Sequence, residues 1–274
     1  MSIFQSIMLG IVQGMTEFLP VSSSAHLVLV PYWLDWQIPA EESFIFNVLV
    51  QLGTLAAVII YFWKDLISII AAAIKGLLSG NPFEDSSARL GWWIVLGTIP
   101  AAIFGVLIKD QVEAAFGSPL LTAIFLLVTA ALLILSERIG KRLKTLQEMT
   151  LLDALIIGIF QAISVFPGIS RSGATISGGM FRKFTRPEAA RFSFLLSIPI
   201  MLGAGGYATL DLLGLPSLST FLPTVLVGFL VAGVVGYLSI RWLLRYLTHH
   251  SFYIFAIYCI GISLLTLLVD VIRG

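Results

Sequence analysis

The chain has 274 residues, 58% of them hydrophobic and 11% charged, with a formal net charge of +1. A soluble globular domain carries roughly 25% charged residues, so water is excluded as the solvent for most of this surface; no nucleic-acid motif is present either. The charges are clustered and leave uncharged apolar runs at 46–62, 90–108, 118–136, 192–210, 221–240 and 252–269. Each is near the roughly 20 residues that cross about 30 Å of hydrocarbon as a helix. Continuous apolarity favours helices over barrel strands, which would alternate apolar and polar residues.

In chain order, the first stretch, 3–34, is apolar but interrupted by Glu17 and His26 at a break rich in Pro and Ser. No Lys or Arg precedes Lys64, so it lacks the basic n-region of a cleaved signal peptide and is expected to be retained. Three spanning runs follow, with a loop expected at 63–89. The stretch 154–181 is again apolar and again interrupted, this time by Arg171 in a Pro-, Gly- and Ser-containing turn. The last three runs complete the chain. The only cysteine, Cys259, lies in the final run, so no intrachain disulfide forms, and a packing or lipid-facing thiol is expected.

Irregular backbone at membrane depth is tolerated only where protein or a water-filled cavity satisfies its amides. Both broken stretches therefore read as re-entrant helix-loop-helix hairpins. They also resemble each other: Gly10-Ile-Val-Gln13 and Gly158-Ile-Phe-Gln161 each precede a break with a Ser-rich turn, and the offset of 148 positions between Gln13 and Gln161 recurs between Phe46 and Phe194. The expected fold is a single all-α integral-membrane domain over 1–274, six transmembrane helices plus two re-entrant hairpins. Its halves, about 1–143 and 144–274, form an inverted-topology repeat, because three crossings per half turn the second copy over. Such repeats place their site near the midplane, where the broken segments meet. The side holding 63–89, 137–191 and 241–251 carries 14 of the 16 Lys and Arg. That asymmetry puts both termini on the periplasmic or extracellular face. Of the basic residues in the second half, Arg182, Lys183, Arg186 and Arg191 read as topology anchors.

Arg171 is different because of its depth. An Arg within an apolar stretch must face a cavity and pair with something. In Pro167-Gly-Ile-Ser-Arg-Ser-Gly-Ala-Thr175 it stands among hydroxyls and backbone N–H groups, a composition suited to phosphate; a purely structural ion pair with Glu17 is the other reading. Gln13 and Glu17, four apart, share a helix face. Glu17 suits a general base or, with Gln13, a weak site for a divalent cation completed by substrate oxygens and water. Other Asp and Glu are expected in loops. Ser22, Ser23, Ser24 and His26 offer a hydroxyl nucleophile and an imidazole, or else a helix cap and a structural His. His249 and His250 read as solvated loop residues.

The segments Gln13-Gly-Met-Thr-Glu-Phe-Leu-Pro-Val-Ser-Ser-Ser-Ala-His26 and Pro167-Gly-Ile-Ser-Arg-Ser-Gly-Ala-Thr175, with Val50-Gln-Leu-Gly-Thr54 between them, resemble the signature motifs of the undecaprenyl-diphosphate phosphatase family associated with bacitracin resistance. The resemblance covers essentially the whole chain. It implies an enzyme of the bacterial cytoplasmic (inner) membrane that hydrolyses undecaprenyl diphosphate to the monophosphate and inorganic phosphate. Such an enzyme recycles the lipid carrier for cell-wall synthesis, confers bacitracin resistance and depends on a divalent cation, Mg²⁺ or Ca²⁺. By motif position, Glu17, Ser23, His26 and Arg171 are the expected catalytic residues. Ser22, Ser170, Arg171, Ser172, Gly173 and Thr175 are expected to hold phosphate, and Glu17 and Gln13 the metal. Gln13 stands where many members have Glu, which weakens any scheme with two carboxylates on the metal, and Ala25 replaces a frequent Gly. Expected partners are the lipid substrate and bilayer lipids, not nucleic acid, and a homodimer is allowed for. The competing reading is a transporter or flippase of a polyprenyl phosphate lipid that uses the same cavity without chemistry.

Overall fold

Helix-forming sequence accounts for most of the chain, and the computed structural model describes residues 1–213 and 218–273 as an all-helical protein. In chain order the helices are α1 (Ile3–Thr16), α2 (Ser23–Trp33), α3 (Ala40–Tyr61), α4 (Trp63–Leu78), α5 (Ser86–Leu107), α6 (Lys109–Phe116), α7 (Pro119–Ile139), α8 (Leu151–Ile163), α9 (Arg171–Phe181), α10 (Arg186–Leu213), α11 (Leu218–Tyr246) and α12 (Tyr253–Arg273). Among the described residues, six of them are long and apolar enough to cross a membrane: α3, α5, α7, α10, α11 and α12. These are the six expected runs, each extended into flanking polar residues. The extension has a physical reason, since charged side chains at helix ends find partners there instead of ending the helix.

Two features differ from expectation. Residues 63–89 do not form a loop throughout, because α4 occupies Trp63–Leu78 and its exposed face carries Ile67, Ile70, Ile74 and Leu77. Apolar residues at helical spacing make this stretch an amphipathic helix, and its 16 residues fall short of the roughly 20 that cross a bilayer. The second correction concerns the carboxylates expected in loops: Glu137 lies in α7 and Asp153 in α8, both buried. Glu137 accepts a two-pronged pair from Arg186 (2.7 and 2.6 Å), the Phe252 N–H (2.8 Å) and Arg142. Asp153 accepts from Arg182 (2.6 Å), Lys144 (3.0 Å) and the Thr150 hydroxyl (2.8 Å). Arg191 pairs with Asp65. These networks tie the C-terminal ends of α7 and α9 to the N-terminal ends of α8, α10 and α12, so the basic residues meet at one end of the bundle.

At the opposite end, the N-terminal amine of Met1 pairs with Glu42, Arg273 donates to the Tyr32 carbonyl (2.7 Å), and the Tyr32 hydroxyl donates to Asp270 (3.3 Å). The α1–α2 pair therefore starts and finishes at that end, and α8–α9 starts and finishes at the basic end. Each first helix opens on a capping box, Ser2 with Gln5 in α1 and Thr150 with Asp153 in α8. Each also packs backbone to backbone on a long helix. A Cβ at Gly10 would lie 2.8 Å from Gly228 O of α11, and one at Gly158 would lie 2.4 Å from Gly97 O of α5. The breaks at 17–22 and 164–170 point toward each other from opposite ends and meet inside the bundle, where Gly168 N–H donates to Ser22 Oγ (3.2 Å).

A candidate phosphate-handling site between two helix breaks

Both breaks are held by their own hydroxyls. Ser22 caps α2, its Oγ accepting from Ala25 N–H (3.4 Å), and Ser170 caps α9, its Oγ accepting from Gly173 N–H (3.0 Å). Ser22 has φ 69°, a conformation that an L-residue holds only under constraint. The constraint is His26, whose Nδ1–H donates to Ser22 O (2.7 Å). That bond leaves Nε2 to accept from the Tyr258 hydroxyl (2.8 Å). On the other break, Gly168 has φ +100°, and a Cβ there would sit 2.3 Å from Thr122 O. Thr129 fixes the loop from α7, donating to Gly168 O (2.8 Å) and accepting from Ser170 N–H (2.9 Å).

These constraints place Ser23 and Arg171, the first residues of α2 and α9, on either side of Glu17. Arg171 Nη2 donates to Glu17 Oε1 (2.7 Å), while Ser23 Oγ donates to Oε2 at 2.5 Å. Gln13 Nε2 supports Oε2 from below (2.9 Å) and also reaches Thr54 Oγ1 (3.3 Å). One terminal nitrogen of the guanidinium, Nη1, is buried without a partner. The pair is single-pronged because the other Glu17 oxygen, Oε2, is taken by Ser23 and Gln13.

The three groups face a cavity of about 260 Å³ whose polar wall also includes Ser22, Ser24, Gln51, Gln161, Ser164 and Ser170. Its apolar wall comes from Ala101, Phe116, Val165, Ile169, Ile200, Met201 and Ala204. A second cavity of about 150 Å³ shares Glu17, Ser23, Ser24, Gln51 and Phe116 and extends to Gln13 and Asn47. A pocket polar at one end and apolar along one wall suits an amphiphile with an anionic head.

Of the residues singled out from the sequence, Glu17, Ser22, Ser23, Ser170 and Arg171 line the larger cavity, and Gln13 lines the smaller. His26 lines neither; its two ring nitrogens are spent on Ser22 and Tyr258. Ser172 donates to Leu19 O (3.1 Å), and Thr175 bonds to Arg171 O (2.7 Å) and Ser193 Oγ (2.6 Å), so both side chains brace α9. Gly173 contributes its N–H to the Ser170 cap. Gln51, Asn47, Gln161 and Phe116 are additions that motif reasoning did not single out as site residues. A polar residue inside an otherwise apolar run was the available signal for the first three. Cys259 is a buried packing thiol beside Pro20 O, and His249 and His250 are exposed.

This geometry can be set beside known proteins. The family model described as bacitracin resistance protein BacA matches residues 6–265. Similar proteins named undecaprenyl-diphosphatase occur in Chlorobium phaeovibrioides (47% identical over 284 residues) and Thermomicrobium roseum (44% over 278), each alignment covering 98% of both chains. One from Chlorobaculum tepidum is 43% identical over 280 residues, again with 98% of both chains covered. The family match spans both helix breaks, five of the six long apolar helices in full and α12 as far as residue 265, so the chain belongs to the BacA family of multi-pass membrane proteins.

Proposed function

We propose that the protein hydrolyses undecaprenyl diphosphate to undecaprenyl phosphate and inorganic phosphate. The observation that carries the chemistry is one carboxylate, Glu17, shared by a hydroxyl donor at 2.5 Å and an arginine with a donor to spare. A serine hydroxyl is a weak nucleophile unless a base lies within hydrogen-bond reach. Glu17 is within that reach of Ser23. Ser23 Oγ attacks the terminal phosphorus, Glu17 takes its proton, and the bond to the bridging oxygen breaks so that undecaprenyl phosphate leaves. Glu17 passes that proton to solvent with the departing lipid; water then attacks the phosphoserine phosphorus, and Glu17 takes the water's proton and delivers it to Ser23 Oγ as the P–Oγ bond breaks, which releases inorganic phosphate and restores Ser23. Arg171 stabilises the charge on the transferring phosphoryl oxygens. The apolar wall from α5 and α10 receives the first isoprenoid units. His26 acts on Ser22, and through it positions the turn that presents Ser23.

A divalent cation fits this site in a limited way. Among the described residues no group of three or more His, Cys, Asp or Glu is placed to hold a metal, so the protein does not build a full cage. Glu17 and the buried, unpartnered Oε1 of Gln13 are the side chains that would hold such an ion, with oxygens of the substrate and water supplying the remaining ligands. Bound there, the ion offsets diphosphate charge.

The supporting architecture is an inverted repeat, with α1–α2 and α8–α9 as re-entrant hairpins entering a bacterial cytoplasmic membrane from opposite faces. An offset of 148 positions relates the capping boxes at Ser2 and Thr150, the close approaches at Gly10 and Gly158, the amides Gln13 and Gln161, and the N-caps Ser22 and Ser170. The basic end faces the cytoplasm, which sends both termini to the exterior face; Gly274 lies outside the described residues. A carrier of the same lipid would use Arg171 but has no need of a hydroxyl donating to a carboxylate. Phosphate release from undecaprenyl diphosphate by the detergent-purified protein, with Mg²⁺ or Ca²⁺ and with chelator, tests the reading. Release that needs the ion supports it; binding of the lipid without release supports the carrier instead.

A further inference from the structure

Gln161 is 2% exposed, lines the larger cavity beside Arg171, and neither its Nε2 nor its Oε1 has a hydrogen-bond partner. Buried amides are almost always paired, and a half-satisfied polar group in an apolar surround is costly. The repeat offers a direct comparison. Its counterpart Gln13 spends Nε2 on Glu17 and Thr54. The positions equivalent to those two partners in the second half are Val165 and Leu202, which can accept nothing through their side chains. The second half therefore has the amide without side-chain partners like those of its counterpart, in a cavity that Arg171 also lines.

We propose that Gln161 is a substrate-binding residue whose amide N–H donates to a non-bridging oxygen of the diphosphate held by Arg171. This rests on the hydrolase reading for the identity of the headgroup. The two groups divide the work by chemistry: the guanidinium supplies charge and a planar fork, while the neutral amide supplies a directional donor that does not add to the positive charge already facing Glu17. Oε1 accepts from water accompanying the hydrated headgroup.

The test uses Gln161→Leu, which keeps the side-chain volume and removes both polar atoms, together with Gln161→Glu, which sets a carboxylate against the phosphate. Both are purified in detergent and assayed for phosphate release from undecaprenyl diphosphate, for binding of that lipid, and for thermal stability. The expected result for Gln161→Leu is a loss of about tenfold or more in kcat/KM and weaker lipid binding, with a Tm equal to or above that of the parent, because no internal bond is lost; Gln161→Glu loses more. A Gln161→Leu protein with parental kcat/KM and parental binding overturns the inference. So does a fall in Tm that accounts for the lost activity, since that is the mark of a structural amide. If the parent itself binds the lipid but releases no phosphate, the hydrolase reading fails, while the binding comparison still decides the role of Gln161.

Discussion

Glu17 and Arg171 are 154 positions apart in sequence and 2.7 Å apart across the two helix breaks. The pair closes only one of the guanidinium's terminal nitrogens, and the free one is buried beside the cavity. The proposed hydrolysis gives this one side chain two roles, joining the halves and receiving the phosphate. Arg171→Lys separates them. An ammonium keeps the charge and can still pair with Glu17, but it loses the planar fork. The expected outcome is a loss of about a hundredfold in kcat, on the order of 3 kcal/mol of transition-state stabilisation, nearly as large as for Arg171→Ala. Steady-state kinetics decide it, and near-normal turnover in the Lys variant reduces Arg171 to a point charge.

Gly168 tests the geometry of the second break. Its φ of +100° is strained for any L side chain, and the added methyl would meet Thr122 O at 2.3 Å. Gly168→Ala is expected to lower the Tm and to reduce turnover, by displacing the loop that Thr129 and Ser22 hold. Gly80, also at positive φ but with no neighbour within 4 Å of a Cβ, is the control: Gly80→Ala carries only the local backbone cost of about 1 kcal/mol. Equal melting temperatures for the two variants would contradict this account of the break.

The topology rests on the clustering of Arg142, Lys144, Arg182, Arg186 and Arg191 at one end of the bundle. In a Cys259→Ser background, cysteines placed at Ser2 and Gly274 are expected to react with an impermeant thiol reagent in intact cells whose outer barrier is open, and one at Thr145 is expected to be protected. The reverse pattern inverts the assignment.

The six long helices were legible because a hydrocarbon solvent demands uninterrupted apolar sequence, and α3, α5, α7, α10, α11 and α12 supply it. Glu17 and Arg171 were legible for the converse reason, since charge at such depth needs a purpose. What a linear sequence hides is who the partner is. Glu137 and Asp153 stand close to helix ends and look like loop carboxylates until Arg186 and Arg182 are found against them. Helix α4 is hidden because Lys64, Asp65 and Lys75 break up its apolar run without making it less helical, and at 16 residues it gives no spanning signal. His26 near three serines suggests catalysis by proximity in sequence; what the sequence hides is that its ring nitrogens bond Ser22 O and the Tyr258 hydroxyl and that it lines neither cavity. Gln161 is legible in the sequence only as the repeat partner of Gln13; that its amide pairs with no side chain, unlike that of Gln13, is visible only in the fold.

In the proposed hydrolysis, Ser23, activated by Glu17, attacks phosphorus. Neighbouring hydroxyls give the contrast, because Ser22 is a cap bonded to Ala25 and Gly168 whereas Ser23 donates to the carboxylate. The decisive measurement is the turnover of Ser23→Ala on undecaprenyl diphosphate in detergent with Mg²⁺ or Ca²⁺, beside the parent and Ser22→Ala. Ser23→Ala is expected to fall below about a tenth of the parental rate, a loss above about 1.4 kcal/mol, while still binding the lipid, and Ser22→Ala to lose less turnover and more stability. A Ser23→Ala protein that keeps more than about a tenth of the parental rate would show that Ser23 is a ligand and that another group, or water, makes the attack.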